Sequence, residues 1–224
     1  MNMGRIVDLS QKMVPGKEHF KLEAKVSDVT EIMPHIKHRK DVWYVLGEVN
    51  MCSHVGTHIE FPYHHVKEGD DAAAFPVDRL IGEGVVLNFT HKKADKINPP
   101  PITLEELKAH DEKIKKGDIV LIRTDCDKFW HTEQWENYVY ITMEGIEWLV
   151  EKGIHCIGTD SIGMEVPGTD HQPAHTLLFK HGIPMIESMT NLGQLKKERF
   201  LIFILPLPIV GLDASPVRII AIEE

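Results

Sequence analysis

One short run of the chain, HVGTHIEFPYH, restricts both the local backbone and the chemistry that the protein can support. Within eleven residues it places His54, His58, Glu60 and His64. Gly56 and its β-branched neighbours disfavour a helix, and Pro62 pushes the residue before it towards an extended conformation. We therefore expect a loop or an irregular strand. In an extended stretch residues 58, 60 and 64 share one face, and Gly56 allows a tight turn or a close approach to an ion.

The donor types in this run indicate a metal site. Two imidazoles and a carboxylate suit Zn, Mn or Fe(II), and a further imidazole remains for proton transfer. The alternative is a set of surface histidines in a polar loop. Four candidate donors around a glycine and a proline favour the metal site.

A second candidate half of the site lies downstream. A helix is predicted over about 172–180, and His171 and His175 are four residues apart, so they share a face. Glu187 follows at the end of a short buried strand. Either histidine could be a ligand from the residues alone, and a helix-face histidine bonded to a carbonyl is the alternative for His175.

The remaining pattern predicts more strands than helices. Alternation and β-branching predict strands near residues 5–9, 42–51, 84–89, 118–124, 155–158, 184–186, 201–205 and 217–222. A capping box at Thr103 predicts a helix that ends near Gly117, and an apolar face predicts another over 142–152. The fold class is therefore α/β or mixed α+β, and residues 1–224 form one domain without a flexible linker.

Composition excludes several functions. A net charge of −9 disfavours nucleic acid as a partner, and a hydrolytic metal site would instead take a small-molecule substrate. The longest apolar stretch, 200–210, is interrupted by two prolines and is too short to span a bilayer. Because the N-terminal segment lacks an apolar signal core, a cytoplasmic location is expected, and three widely spaced cysteines suit reduced thiols.

Residues 54–64 resemble the cyclase-like metal hydrolase family, which includes bacterial kynurenine formamidases and isatin hydrolases. The family pattern is His-x-Gly-Thr-His-x-Asp-x-Pro-x-His, and this chain departs from it at Glu60, where the family has Asp. His65 stands where an aromatic residue is usual. The family's other ligands are a His and a Glu twelve residues apart, which His175 and Glu187 match, and the C-terminal runs from Leu205 to Gly211 and from Ser215 to Arg218 also resemble the family.

The resemblance implies a fold, a site and an assembly. It implies a swivelling β/β/α-type domain with a mixed sheet and packed helices, in a homodimer or homotetramer. Each chain would bind one or two Zn or Mn ions. The ligands would be His54, His58, Glu60, His175 and Glu187. His64 would be the catalytic acid and base. If only one ion binds, His175 and Glu187 would orient other groups.

Four further residues are candidates for the substrate pocket. Trp43, Phe61 and Tyr63 could form an aromatic wall, or could equally belong to the core. Asp160 resembles a family Gly-x-Asp segment near the pocket, and an ordinary turn or helix-cap role is the alternative.

Three functions are compatible with these features. The first is hydrolysis of an amide or cyclic amide C–N bond, of the kynurenine formamidase or isatin hydrolase type. The second is lactone hydrolysis or ring closure on the same site. The third is a non-catalytic metal-binding module, which predicts a closed ligand set, so the surplus imidazoles of His64 and His65 count against it.

Overall fold

The computed structural model describes residues 4–39, 41–95, 97–166 and 169–224. Its strands and α-helices, in chain order, are β1 (Arg5–Asp8), β2 (Leu22–Asp28), α1 (Val29–Ile32), β3 (Val45–Met51), β4 (His58–Glu60), β5 (Ile81–Asn88), β6 (Pro101–Ile102), α2 (Leu104–Lys108), β7 (Ile119–Arg123), β8 (Tyr140–Ile141), α3 (Met143–Lys152), β9 (Cys156–Thr159), α4 (Pro173–Lys180), β10 (Met185–Glu187), β11 (Arg199–Pro206) and β12 (Ala214–Glu223). Short 3-10 turns, including Pro62–His64, connect several of them. Across these ranges, we find no helix of sufficient length and apolarity to span a membrane.

An eight-stranded mixed sheet forms the centre of the protein. Its order is β1-β12-β11-β5-β7-β9-β10-β4, and β4 also pairs with β12, so the sheet closes into a barrel-like core. The strands β5, β7, β9 and β10 run parallel, and the others join them antiparallel. The mixed α/β class predicted from the sequence is confirmed, whereas the closure through β4 was not predicted.

The two faces of the sheet bury different cores. On β7, Val120 and Ile122 pack with the helices, while Ile119 and Leu121 face the enclosed side. A strand covered on both faces is apolar throughout, which is why residues 119–122 form a continuous hydrophobic run. The same alternation on β4 buries Ile59 in the enclosed core and leaves His58 and Glu60 on the opposite face.

The predicted strands and helices are confirmed in position, with one helix too long. Thr142 caps α3 and Gly153 ends it in the left-handed conformation, as a glycine at that position permits. The capping box of Thr103 and Glu106 is present at α2. However, α2 ends at Lys108 and a 3-10 turn over Asp111–Lys113 follows, so the prediction of one helix as far as Gly117 was wrong.

Two pairs of strands lie outside the main sheet. Among the described residues, the strands β2 and β3 pair with each other alone and form a two-stranded ribbon, and β6 pairs with β8. Strand β2 was not predicted, because its alternation of polar and apolar residues is short and both sides are exposed along most of its length.

Candidate metal centre

The 54–64 segment changes conformation twice and brings its donors to one place. Gly56 has φ of 68°, so the turn favours glycine, and a Cβ there would also displace the flexible side chain of Met13, whose Sδ would lie 2.5 Å away. After this turn, β4 holds His58 and Glu60 on one face. His64 lies in the 3-10 turn that begins at Pro62, so it does not continue the extended face predicted for residues 58, 60 and 64.

Pairing of β4 with β10 brings in the downstream donors. Glu187 is the register partner of His58 across the antiparallel pair. His175 is buried on α4, next to the same cluster. The five residues proposed as ligands from the sequence thus lie together, although they come from three separate parts of the chain.

The atoms of the cluster are spaced like ligands of a common ion. Nε2 of His58 lies 3.4 Å from Oε1 of Glu60 and 3.7 Å from Oε2 of Glu187. Nε2 of His175 lies 3.6 Å from Oε2 of Glu60 and 3.7 Å from Oε1 of Glu187. Donors about 2.1 Å from one ion at tetrahedral angles are about 3.4 Å apart. The separations of 3.6–3.7 Å are too long for hydrogen bonds, the 3.4 Å contact is a long one, and all four suit coordination.

Glu60 lies at the centre of the cluster. Its Oε1 is 2.8 Å from Nδ1 of His54, and its Oε2 is buried and has no hydrogen-bond partner among the described residues. It belongs both to a possible ligand group with His58 and Glu187 and to one with His54 and His64. A buried carboxylate oxygen without a partner is costly, and an ion would satisfy it. The residues present therefore fit a divalent metal.

The two buried glutamates of the cluster also need positive charge nearby to compensate their own. Burial raises the pKa of Glu60, but its bonds with His54 and His58 outweigh burial and hold the pKa well below its usual range. Burial and the charge of Glu60 raise the pKa of Glu187. Against the effect of burial, Glu60 and Asp213 raise the pKa of His54 to about 9, so the imidazolium supplies charge that an ion would supply instead.

Two acidic residues that sequence reasoning missed orient the histidines. Glu165 accepts a hydrogen bond from Nδ1 of His175 at 2.7 Å and also bonds the backbone N–H of Ala174 and His175. Against burial, Glu165 and Glu187 raise the pKa of His175 to about 10. A carboxylate that fixes the ring of a ligand histidine is common beside metals. No signal in the sequence links residue 165 to residue 175.

The second missed residue is Asp213. Its Oδ2 lies 2.9 Å from Nε2 of His54 and 2.8 Å from Nδ1 of His64, and Ser53 donates to its Oδ1. Burial raises the pKa of Asp213. The hydrogen bond and charge of His54 outweigh burial and lower the pKa to about 2, so the carboxylate is ionised. Asp213 lies between the two C-terminal runs that resemble the family, so the resemblance pointed to its neighbourhood and not to the residue itself.

A cavity of about 600 Å³ opens on one side of the cluster. Its lining comprises His19, Phe20, His54, Glu60, His64, Glu136, Tyr138, Ile162, Gly163, Glu165, Gln172, His175 and Glu187. The ring of Phe20 lies 6.1 Å from that of His54. The cluster thus contacts a space large enough for a small aromatic molecule, with Phe20, Tyr138 and Ile162 as its apolar and aromatic wall.

The four pocket residues proposed from the sequence do not line this cavity. Phe61 is fully buried and packs against Phe75 in the enclosed core, because it shares the parity of Ile59 on the face opposite His58. Trp43, two residues before β3, is 85% exposed, and Tyr63 is 41% exposed. These assignments are corrected accordingly.

Asp160 is buried outside the cavity, and its surroundings explain its position. It accepts hydrogen bonds from the backbone N–H of Thr124 and Asp125 and from the hydroxyl of Thr124. It therefore holds the end of β7 through contacts 35–36 residues away in the chain, which neither the pocket role nor a turn or helix-cap role describes.

Of the two additional histidines, His65 packs against the cluster, whereas His171 does not line the cavity. The ring of His65 stacks on that of His175 at 5.6 Å, while its nitrogens contact Thr176 and Gln172. His171 is exposed, has φ of 71° and precedes α4, so it does not share the helix face of His175.

Comparison with known proteins agrees with this arrangement. Residues 7–166 match a family model described as "Putative cyclase". The chain belongs to the cyclase family. Kynurenine formamidase of Erythrobacter litoralis (strain HTCC2594) is 31% identical to it over 178 residues, which are 80% of this chain and 77% of that protein. The resemblance seen in residues 54–64 is thereby confirmed.

Solved structures share the cyclase-family fold over nearly the whole chain. An isatin hydrolase bound to the product analogue thioisatinate matches with a TM-score of 0.84 and 23% identity, covering 99% of this chain and 93% of that one. A potential metal-dependent hydrolase with cyclase activity matches with a TM-score of 0.75 and 24% identity, covering 98% of each chain. The named relatives are hydrolases, and this cyclase-family member is a hydrolase.

Proposed function

We propose that this hydrolase cleaves the C–N bond of an aromatic amide or a cyclic amide with the help of a bound divalent metal. One observation carries the proposal: a buried cluster of histidines and glutamates opens into a cavity, and His64, held by Asp213, stands at its edge. A structural metal site is closed by its ligands, whereas a catalytic site keeps an open side.

The ligand set is the one that the family resemblance implies, and the short distances among His58, His175 and the two glutamates support it. His54, His58 and Glu60 would hold a first ion, His175 would hold a second, and Glu60 and Glu187 would each be able to contact both. Glu60 suits bridging because its two oxygens face different histidines, with Oε1 towards His54 and Oε2 towards His175. Zn and Mn both accept imidazole and carboxylate ligands. Such an ion would lower the pKa of a bound water towards about 7 and polarise the substrate carbonyl.

His64 is proposed to move the proton. The ionised Asp213 can only accept, so Nδ1 of His64 carries the hydrogen of their bond and Nε2 holds a lone pair. Nε2 can take a proton from the attacking water and return it to the departing nitrogen. The carbonyl carbon then keeps the water oxygen, the C–N bond breaks, and the amine leaves with the proton.

The substrate class is proposed from the wall of the cavity. Phe20 and Tyr138 offer aromatic surface beside the polar cluster, which suits a planar ring attached to the scissile amide. The relatives support this choice, since one is a kynurenine formamidase and another an isatin hydrolase. We propose N-formyl aromatic amines or fused aromatic lactams as substrates.

The test combines a substrate panel with a matched pair of variants. Protein loaded with Zn or Mn is assayed on N-formylaniline derivatives, isatin-type lactams and lactones. His64→Asn should keep its metal and lose about 10²- to 10⁴-fold in kcat, whereas His65→Asn, which removes a ring without a contact to Asp213, should change it by less than about tenfold. Cleavage of lactones alone would contradict the amide assignment, and a near-normal rate in His64→Asn would remove the proton-transfer role.

A further inference from the structure

A second cavity, of about 200 Å³, shares no lining residue with the cavity at the metal cluster. It lies where β5 and β7 end, because Asn88 and Arg123, which are register partners on these parallel strands, both line it. Residues of the segment 192–198, which connects β10 to β11, form another wall. The cavity is therefore separate from the proposed active site.

The lining of this cavity is basic, although the chain as a whole is acidic. The chain has 34 acidic and 25 basic residues, whereas the charged side chains that line the cavity are four basic and one acidic, namely Lys113, Arg123, Lys196, Lys197 and Glu198. Nζ of Lys113 lies 2.5 Å from Oε1 of Glu198, so these two charges compensate each other. The side chains of Lys196 and Lys197 have no ion-pair partner among the described residues. Positive charge therefore remains at the cavity.

Arg123 is held in place while most of its donors stay unused. Its Nε donates to Oδ1 of Asp125 at 2.8 Å, and Lys128 binds the other oxygen of that carboxylate at 2.6 Å. Within the part of the chain that the structure describes, Nη1 and Nη2 of Arg123 have no hydrogen-bond partner. A Cβ on Gly193 would lie 2.7 Å from Nη2, so the glycine leaves room for the guanidinium. The arginine thus offers a fixed fork of donors.

The two lysines are positioned by the backbone that carries them. The N–H groups of Lys196 and Lys197 both donate to Oε1 of Glu223, each at 2.6 Å. The other oxygen of this buried carboxylate pairs with Arg5 at 2.7 Å. The charge of Glu223 is therefore compensated by Arg5, and the lysine side chains keep theirs.

Neutral groups complete the lining. Leu192, which is buried, and Leu195 form an apolar wall. Such a wall lowers the local dielectric constant and strengthens the attraction between the cations and an anion. Oδ1 of Asn88 accepts bonds from Thr90, so the NH2 group of Asn88 remains as a donor. The cavity thus combines uncompensated cations, spare N–H donors and a partly apolar wall.

We propose that this cavity binds a phosphate group, either as inorganic phosphate or as the end of a small phosphomonoester. The fork of Arg123 matches two oxygens of a phosphate, and Lys196 and Lys197 supply charge for a dianion. A carboxylate has one charge and two oxygens, so it would use fewer of these donors. The inference depends neither on the hydrolytic function nor on the metal proposed above.

The test measures binding to the full chain by isothermal titration calorimetry. Inorganic phosphate and glycerol 3-phosphate are the ligands, glycerol is the uncharged control, and chloride keeps the ionic strength constant because salt screens such attractions. The wild type should bind at least one of the two phosphates with a Kd of about 1 mM or below. Tighter binding of glycerol 3-phosphate would identify a phosphomonoester as the ligand, and tighter binding of inorganic phosphate would identify the free ion.

Variants of the cavity are compared with a matched pair of charge removals elsewhere. Arg123→Gln should raise the Kd at least about tenfold, because a charged hydrogen-bond donor is lost. The double variant Lys196→Gln and Lys197→Gln should raise it at least about fivefold. The double variant Lys25→Gln and Lys37→Gln removes two charges from exposed positions outside the cavity, and it should change the Kd by less than about twofold.

Several outcomes would overturn the inference. A wild type that binds neither phosphate compound at about 10 mM contradicts it. Equal affinities of the wild type and the Lys196 and Lys197 variant also contradict it, because the phosphate would then occupy the metal centre or another surface. This variant keeps the test decisive if Arg123→Gln does not fold, since both lysines are exposed. Glycerol that binds as tightly as glycerol 3-phosphate would show that the cavity does not recognise charge.

Discussion

Oδ2 of Asp213 lies 2.8 Å from Nδ1 of His64, and these two residues are separated by 149 positions in the chain. The same oxygen lies 2.9 Å from Nε2 of His54. One carboxylate therefore sets the orientation of the proposed proton carrier relative to a proposed ligand. This relationship makes the role of Asp213 open to a direct test.

Asp213→Asn should lower kcat about 10- to 100-fold with little change in KM, because the amide cannot supply the charge that orients both rings. Ser53→Ala is the matched control, since it removes a donor to Oδ1 of the same carboxylate and leaves Oδ2 in place. Steady-state kinetics on any amide substrate measures both. If the serine variant loses as much as the asparagine variant, the effect is a general loosening of the loop and the positioning role is wrong.

Glu165→Gln should weaken metal binding about 10- to 100-fold, because the side chain of Glu165 fixes the ring of His175 and raises its basicity. Competition against a fluorescent chelator measures the affinity. Thr176→Ala, on the same helix but with its hydroxyl towards His65, should leave the affinity unchanged. Equal affinities for wild type and Glu165→Gln would mean that His175 takes no part in binding.

The departure from the family at Glu60 gives a third prediction. Glu60→Asp restores the family residue but should weaken metal binding or turnover, because the carboxylate would stop about 1 Å short. The backbone cannot follow it, since Glu60 is paired with Met185 on one side and Ala214 on the other. Metal affinity and kcat at or above the wild-type values would show that Glu60 is not adapted to this site.

Much of this site could be predicted from local sequence, and its supporting contacts could not. Gly56 and the parity of His58 and Glu60 predicted much of the local geometry, whereas Phe61 was left open between the pocket and the core, and the structure buries it with Ile59. By contrast, the bonds of Asp213 to His64 and of Glu165 to His175 depend on tertiary packing, which no spacing rule encodes.

The fold shows the same division. The caps of α3 and the apolar run of β7 are local signals, and they were predicted correctly. The closure of the sheet through β4 and β12 joins residues 58–60 with 214–216, and periodicity carries no information about such a pairing.

A pH-dependent stability difference is expected at the start of α2. Burial raises the pKa of Glu106, but Lys92 and the backbone N–H and hydroxyl of Thr103 outweigh it and lower the pKa to about 2. A carboxylate with a lowered pKa stabilises the folded state above its unfolded value, about 4.5, and loses this effect as the pH falls towards 2. Glu106→Gln should therefore cost about 1 kcal/mol at pH 7, given its partial exposure, and roughly half of that or less near pH 3.

Urea denaturation at several pH values measures the difference, with the exposed Glu105→Gln as the control on the same helix. A gap between Glu106→Gln and the wild type that stays constant from pH 7 to pH 3 would show that charge at residue 106 does not stabilise α2.

The most direct test of the metal centre is the metal content of protein purified without a His-tag, measured by plasma mass spectrometry after dialysis. We expect at least one Zn or Mn per wild-type chain and a sharp loss in His58→Ala, which removes a donor from the middle of the cluster. His171→Ala, an exposed histidine outside the cavity, should keep the wild-type content. A wild type that binds neither metal, or a His58→Ala variant with undiminished content, would contradict the metal centre.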